Sequence, residues 1–190
     1  MNLTNPDIRY LYDLKGVIYD KKWFSSSDNI ELYYMYRGIK GDGSLRYDIT
    51  VIPPNMLGVE FTKTKGHYHP GNFGELYLVL EGEAIYLMQK VDKNGEIEHI
   101  YAVKATKGDS VIIPPKYGHI TINPSNKDLK MANWVNGSFK SIYEPIERMG
   151  GGGYFYTISG WIKNSNYKDL PELETKKPEK NIPTDLSFLK

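Results

Sequence analysis

Cysteine is absent from this chain of 190 residues, and histidine occurs only four times. The absence of cysteine excludes disulfide bridges, thiolate metal sites and a cysteine nucleophile, and it is compatible with a reducing compartment. No apolar run approaches the roughly 20 residues that a membrane-spanning helix needs. Neither charge is in excess, because 24 basic and 23 acidic residues nearly cancel. Nothing therefore points to a nucleic acid or a membrane as partner.

The length predicts a single domain over residues 1–190. We expect a core at about 30–160, with extensions at 1–29 and 161–190. The first six residues lack the basic and apolar regions of a signal peptide, so a cytoplasmic protein is expected.

Short β-prone runs separated by turn residues occupy the chain from about 16 to 160. The run from Glu75 to Val91 is typical of two strands joined at Gly82, and Asn94-Gly95 marks another tight turn. No helical pattern is long enough for a βαβ unit, although a short helix or turn is possible over 7–14. This pattern predicts an all-β sandwich or barrel. The proline-containing tail from Lys163 is expected to be irregular. It would either wrap on the surface or on a partner subunit, or form a loose tail.

Three of the histidines fall into one candidate site with a carboxylate. His67 and His69 are two residues apart, so on a strand their side chains leave the same face. Glu75 opens a strand-like run, and His119 follows another such run after a Pro-Pro turn. Three imidazoles and one carboxylate can bind one divalent metal and leave coordination positions open. An isolated H-x-H pair occurs by chance, but the added Glu75 and His119 favour a metal site over a structural role.

These residues resemble the two motifs of the cupin superfamily, whose members are double-stranded β-helix barrels of the jelly-roll type. The resemblance rests on two sets of residues: Gly66, His67, His69, Glu75 and Gly82 for the first motif, and Gly108, Asp109, Pro114, Gly118, His119 and Asn123 for the second. It implies a single cupin jelly-roll barrel with the four metal ligands His67, His69, Glu75 and His119.

Within that superfamily, residues 30–160 are most similar to the cupin-type glucose-6-phosphate isomerases found mainly in archaea. The most specific parts are the segments 64–69 and 75–77. The loop between His69 and Glu75 is one residue shorter than in those proteins, and only Tyr143 aligns well after Trp134. The resemblance implies a homodimeric enzyme of glycolysis and gluconeogenesis that interconverts glucose 6-phosphate and fructose 6-phosphate. It also implies one divalent ion per subunit, for which iron, nickel, manganese, zinc and cobalt all suit the ligands.

The resemblance further implies roles for individual residues. Glu75 would be the catalytic base if the reaction proceeds through an enediol, or chiefly a ligand if hydrogen moves as hydride between C1 and C2. The phosphate group would contact Tyr33, Thr50, Thr64, Tyr143 and the backbone of Gly66. Lys63 and Lys65 alternate with threonines, so we expect them to point outward into solvent.

Three other functions remain open at this point. The same residues suit another sugar-phosphate isomerase, such as one acting on mannose 6-phosphate, because stereochemistry at C2 leaves no signature in the sequence. A cupin dioxygenase would use the same metal ligands to activate oxygen. A non-catalytic sugar-binding cupin is the third alternative.

Overall fold

Strands dominate the computed structural model, which describes residues 3–190. The strands among these residues are β1 (Asp7–Tyr10), β2 (Glu31–Asp42), β3 (Leu45–Ile52), β4 (Met56–Leu57), β5 (Glu60–Phe61), β6 (Glu75–Glu81), β7 (Glu83–Val91), β8 (Ile97–Thr106), β9 (Ser110–Ile113), β10 (Gly118–Ile122), β11 (Leu129–Asn136), β12 (Tyr154–Thr157), β13 (Gly160–Lys163) and β14 (Glu174–Lys176).

Helical structure is limited to short pieces in the described chain. The two α-helices are α1 (Lys21–Ser25) and α2 (Glu144–Arg148), and 3-10 turns occupy Leu11–Leu14 and Ser187–Leu189. Helix α1 begins after Asp20, whose carboxylate accepts a hydrogen bond from the backbone N–H of Trp23 at 2.9 Å. The expected helix or turn over 7–14 is correct only for its second half, because residues 7–10 pair with β2 instead.

The strands form three sheets, and all their pairings are antiparallel except that of β14 with β8. The largest sheet has six strands in the order β1-β2-β3-β11-β6-β9. A second sheet has the order β10-β7-β8-β14, and a third the order β13-β12-β5-β4. Strand β11 lies between β3 and β6, which are distant from it in sequence. Such long-range antiparallel pairing is typical of jelly-roll barrels.

One hydrophobic cluster joins the first two sheets. Tyr77 and Met131 come from the six-stranded sheet, whereas Tyr86, Ile100 and Ile120 come from the second sheet. Every residue of β10 is buried. Side chains of both sheets therefore fill a shared interior, and any polar side chain of β10 must find its partners there.

Gly82 forms the turn between β6 and β7, as the sequence predicts. Its φ angle is +80°, a left-handed conformation that favours glycine. A Cβ atom at this position would also lie 2.5 Å from the carbonyl oxygen of Asp128. The hairpin that carries Glu75 at its start therefore requires glycine at this turn.

The C-terminal tail runs over the barrel of its own chain. Strand β14 extends the edge of β8, and Glu179 and Ser110 exchange two backbone hydrogen bonds of 2.8 and 2.9 Å. The N–H of Gly74 donates to the carbonyl of Phe188 at 2.6 Å. The tail thus covers the exposed edges of β8 and β9, and the alternative of a loose tail is wrong.

Among residues 3–190, no helix is long and apolar enough to cross a membrane.

Candidate metal centre

The four candidate ligands reach one point from three parts of the chain. Glu75 is the first residue of β6 in the six-stranded sheet, and His119 lies in β10 of the second sheet. The segment carrying His67 and His69 lies beside β10, because His67 and His119 exchange backbone hydrogen bonds of 3.2 and 3.0 Å. Backbone pairing thus brings His119 next to the H-x-H segment, 50 residues away in sequence.

The ligand atoms of these four residues all lie within 4.8 Å of one another. The Nε2 atoms of His67 and His69 are 3.2 Å apart. Glu75 Oε2 lies 3.1 Å from His119 Nε2 and 3.4 Å from His69 Nε2. His69, Glu75 and His119 are buried, whereas His67 is partly exposed.

Two features of this cluster fit a bound cation. Glu75 Oε2 is buried and has no hydrogen-bond donor with proper geometry, although ring nitrogens surround it. Imidazole nitrogens that converge with a carboxylate oxygen are the donor set of transition-metal sites in proteins. A buried anionic oxygen without a donor is costly unless a cation balances it.

The protonation states of the cluster also suit metal binding. Burial, together with neighbouring His119, holds the pKa of His67 well below its usual value. Burial likewise lowers the pKa of His119. For Glu75, burial acts to raise the pKa, but the close ring nitrogens of His119 and His69 outweigh it, so the pKa lies well below the usual range. Neutral imidazoles beside an ionised carboxylate are the forms that bind metals.

Neighbouring groups orient the candidate ligands. His69 Nδ1 lies 3.3 Å from the carbonyl oxygen of Phe73, which favours a proton on Nδ1 and a free lone pair on Nε2. Asn133 donates to Glu75 Oε1 at 2.6 Å. The hydroxyl of Tyr77 lies 3.4 Å from His119 Nε2.

A cavity adjoins the cluster, and His67, His69 and Glu75 form part of its wall. The residues that the resemblance assigns to phosphate binding all line the same cavity, namely Tyr33, Thr50, Thr64, Gly66 and Tyr143. Their role in binding substrate stays a prediction, but they do share one cavity with the candidate ligands. Gly66 has a left-handed φ of +82°, which favours glycine. A Cβ atom at this position would also lie only 2.5 Å from the side chain of Ile120.

The same cavity contains basic residues that the sequence did not indicate. Arg9 is brought there by the edge pairing of β1 with β2, in which Arg9 is opposite Tyr33. The Arg9 guanidinium lies 5.8 Å from the ring centre of Tyr143, and Lys65 Nζ lies 5.3 Å from it. No sequence signal distinguishes Arg9, because its partners are distant in the chain.

The expectation that Lys63 and Lys65 point into solvent is wrong. Lys63 is 3% exposed and forms a buried ion pair with Glu60, and it donates to the carbonyl of Val17 at 2.8 Å. Lys65 lines the cavity and contacts Glu147 at 2.5 Å. The alternation rule fails here because the N-terminal segment packs over the face on which Lys63 lies.

Comparison with known proteins assigns the chain to a family. A family model described as "Glucose-6-phosphate isomerase (GPI)" matches residues 8–172. The glucose-6-phosphate isomerase of Thermococcus litoralis is 35% identical over 131 residues, which are 65% of this chain and 66% of that protein. The one from Thermococcus onnurineus is 32% identical over 126 residues, 63% of this chain and 64% of that protein. The chain belongs to the glucose-6-phosphate isomerase family.

The matched part spans slightly less than two thirds of the length of these relatives. A solved structure of an oxalate decarboxylase is 15% identical and has a TM-score of 0.47, covering 60% of this chain and 28% of that one.

The prediction of the family is confirmed by the family model, and the prediction of an all-β fold is confirmed by the three antiparallel-dominated sheets. A buried cluster that could hold a metal ion is also confirmed. The identity of the ion and the roles of individual residues stay predictions.

Proposed function

We propose that this chain is a metal-dependent glucose-6-phosphate isomerase, interconverting glucose 6-phosphate and fructose 6-phosphate. The observation that carries the proposal is a single cavity whose wall contains three of the four candidate ligands, His67, His69 and Glu75, together with basic and hydroxyl groups suited to an anion. Membership of the isomerase family supports the same reaction. The activity itself is a proposal because the match covers only part of the relatives.

Arg9 is the cation best suited to bind the phosphate group. Arg37 and Arg46 also line the cavity, but both contact the carboxylate of Asp48. Lys65 contacts Glu147. No carboxylate lies within 4.0 Å of Arg9 in the described part of the chain, and its buried Nε has no hydrogen-bond partner. A guanidinium without a carboxylate partner in a cavity is suited to a phosphate dianion.

Hydroxyl groups that line the same cavity complete this anion site. Thr64 Oγ1 accepts a hydrogen bond from the N–H of Thr121 at 2.9 Å, so its own proton is free to be donated. The Tyr33 hydroxyl accepts from the N–H of Lys65 at 3.3 Å and is held in the same way. We assign Thr50, Tyr143 and the Gly66 backbone to the same group because they share this wall.

His67, His69, Glu75 and His119 would hold the metal ion. When bound, a divalent ion supplies a Lewis acid that stabilises negative charge on the C1 and C2 oxygens of the open-chain sugar. We include iron among the ions that suit these ligands, together with nickel, manganese, zinc and cobalt.

Two routes for the hydrogen transfer make different demands on Glu75. An enediol route needs a base, which Glu75 would provide, whereas a hydride shift from C2 to C1 leaves Glu75 as a ligand only. The low pKa of Glu75 and its hydrogen bond from Asn133 both reduce its basicity. These features favour the hydride shift.

We propose that the enzyme is a cytoplasmic homodimer acting in glycolysis and gluconeogenesis. The absence of cysteine is compatible with that compartment. Strand β1 is an edge of the largest sheet and carries exposed Tyr10, with exposed Tyr12 just after it and exposed Ile30 beside Leu11, whose N–H donates to the Ile30 carbonyl. An apolar edge of this kind suits pairing with a second copy. Light scattering is expected to give twice the chain mass of 21.8 kDa, and a monomeric mass at micromolar concentration would contradict the dimer.

The test of the function is fructose 6-phosphate conversion by chelator-stripped protein, with and without each divalent metal. Activity that returns only with metal is the expected result. Stoichiometric metal binding without activity on any hexose phosphate would contradict the isomerase and favour an oxygenase or a binding role. Running the reaction in D2O separates the two routes, since a hydride shift leaves C1 and C2 of the product without carbon-bound deuterium from solvent.

A further inference from the structure

Asn133 is a buried amide on the inward face of a central strand. It lies in β11 between Met131 and Val135, and all three line the cavity beside the metal cluster. Asn133 is only 6% exposed. A buried amide at a position where its neighbours are apolar needs a specific hydrogen-bond partner.

That partner is the carboxylate of Glu75. Asn133 Nδ2 donates to Glu75 Oε1 at 2.6 Å, a buried contact between residues 58 positions apart. The direction of the bond is determined by chemistry, because an ionised carboxylate only accepts and only the amide nitrogen of asparagine donates.

The two oxygens of Glu75 therefore have different surroundings. Oε2 faces the imidazoles, at 3.1 Å from His119 Nε2 and 3.4 Å from His69 Nε2, and has no donor of proper geometry. Oε1 is held by Asn133. The torsion that turns a glutamate carboxylate has broad, shallow preferences, so this hydrogen bond sets which oxygen faces the cluster.

The sheet keeps donor and acceptor in register. Strand β11 pairs with β6, with Asn133 opposite Tyr77 and Val135 opposite Glu75. Strand β3 supports the other side of β11, where Asn133 is opposite Asp48. The backbone positions of Asn133 and Glu75 are thus determined by ladder hydrogen bonds.

We propose that Asn133 is a positioning residue that makes Glu75 a one-oxygen ligand and so keeps a coordination position free for a substrate oxygen. This inference rests on the metal-dependent function proposed above. Without the amide donor, Oε1 is left buried without a partner and turns toward the cluster. Loss of such an outer partner typically lowers metal affinity or activity by about 10–100-fold.

The experiment is a Co2+ titration of chelator-stripped protein, followed by visible absorption, for the wild type, Asn133→Leu and Asn133→Ser. Leucine matches the size of asparagine without a donor, and serine is too short to reach Oε1. Asn136→Ala is the matched control, because Asn136 is on the same strand and is also 6% exposed, but its amide contacts Ser138 and Ser44.

Both Asn133 variants are expected to bind Co2+ at least about tenfold more weakly and to change the shape and intensity of its absorption bands. The control is expected to keep the wild-type spectrum. A variant that is folded by circular dichroism and keeps the wild-type spectrum and affinity would overturn the inference while leaving the isomerase proposal intact. Failure of the wild type to bind Co2+ would instead overturn both.

Discussion

At the scale of single residues, the candidate centre depends on which atoms are left free. His69 is oriented by a backbone carbonyl through Nδ1, and its Nε2 meets that of His67 at 3.2 Å. Glu75 is oriented by Asn133 through Oε1, and its Oε2 faces the imidazoles. His69 and Glu75 therefore each present one defined atom to the cluster, an arrangement that suits metal binding.

His119→Ala is expected to abolish stoichiometric metal binding. The change removes one of the four candidate ligands. The loss of metal affinity should therefore exceed the roughly 10–100-fold that follows removal of a residue that only hydrogen-bonds to a ligand. Metal content after dialysis, measured by mass spectrometry, checks this. His99→Ala is the control, since His99 lies outside the cluster and contacts Tyr117 at 2.7 Å. Full metal occupancy in His119→Ala would show that the ligand assignment is wrong.

Arg9→Met is expected to raise KM for fructose 6-phosphate by about 10–100-fold with little change in kcat. That range corresponds to the loss of one hydrogen bond to a charged group, about 1.5–3 kcal/mol. Steady-state kinetics of the metal-loaded enzyme check it. Arg148→Met is the matched control, because Arg148 is 58% exposed and pairs with Glu144 outside the cavity. Equal KM values in both variants would exclude Arg9 from the phosphate site.

At the scale of elements, the buried ion pair between Lys63 and Glu60 of β5 joins residues 17–19 to the segment just before the metal cluster. Lys63 contacts Glu60 and the carbonyl of Val17, and its ammonium lies 4.7 Å from the ring centre of Phe155. Glu60 accepts a second hydrogen bond from the N–H of Tyr19 at 3.0 Å. The pair lies just before Thr64, so it holds the cavity wall against the segment at 17–19.

Lys63→Met is expected to lower the free energy of unfolding by about 3–5 kcal/mol, because it leaves the Glu60 carboxylate buried without a cation. Adding Glu60→Gln should restore much of this loss, since the amide oxygen still accepts from Tyr19. Denaturant unfolding of both variants measures the effect.

The control for this pair is Lys130→Met, which breaks an exposed pair with Glu81 and should change stability by no more than about 1 kcal/mol. Equal losses in Lys63→Met and Lys130→Met would show that the Lys63–Glu60 pair has no special structural role.

At the scale of the whole molecule, the tail after β13 is held to the barrel by backbone pairing and by one buried carboxylate. Asp109 is 5% exposed and contacts Lys180 of the tail at 2.6 Å. The Lys180 ammonium and the N–H of Thr106 lower the pKa of Asp109 below its usual value. The folded state therefore favours the ionised form.

Asp109→Asn is expected to reduce the free energy of unfolding at pH 7 by about 1.5 kcal/mol, the lower end for a hydrogen bond to a charged group. Because the folded-state pKa is lowered, this contribution is complete above the unfolded carboxyl pKa of about 4 and is lost as pH falls toward the folded-state pKa. The difference between wild type and variant should therefore shrink from pH 7 to pH 3.

Unfolding curves at both pH values check this prediction, and Asp128→Asn serves as an exposed control. A difference that stays constant between pH 7 and pH 3 would contradict the ionisation argument.

Much of the fold and of the candidate site could be predicted from local patterns. The turn at Gly82, the strands on either side of it and the H-x-H segment all depend on residues within a few positions of each other. The exceptions among local rules are Lys63 and Lys65, whose alternation with threonines wrongly predicted exposure. The carbonyl of Val17 that Lys63 contacts is 46 positions away, where alternation carries no information.

The sequence by itself determined the all-β class, the family and the four candidate ligands, because side-chain alternation and motif spacing are properties of neighbouring residues. Only the tertiary structure decided that Arg9 reaches the cavity, that Asn133 holds Glu75, and that Lys63 is buried. Arg9 depends on the pairing of β1 with β2, and Asn133 depends on the register of β11 against β6. The physical reason is that strand register is set by packing and hydrogen bonds between distant segments, which no local pattern encodes.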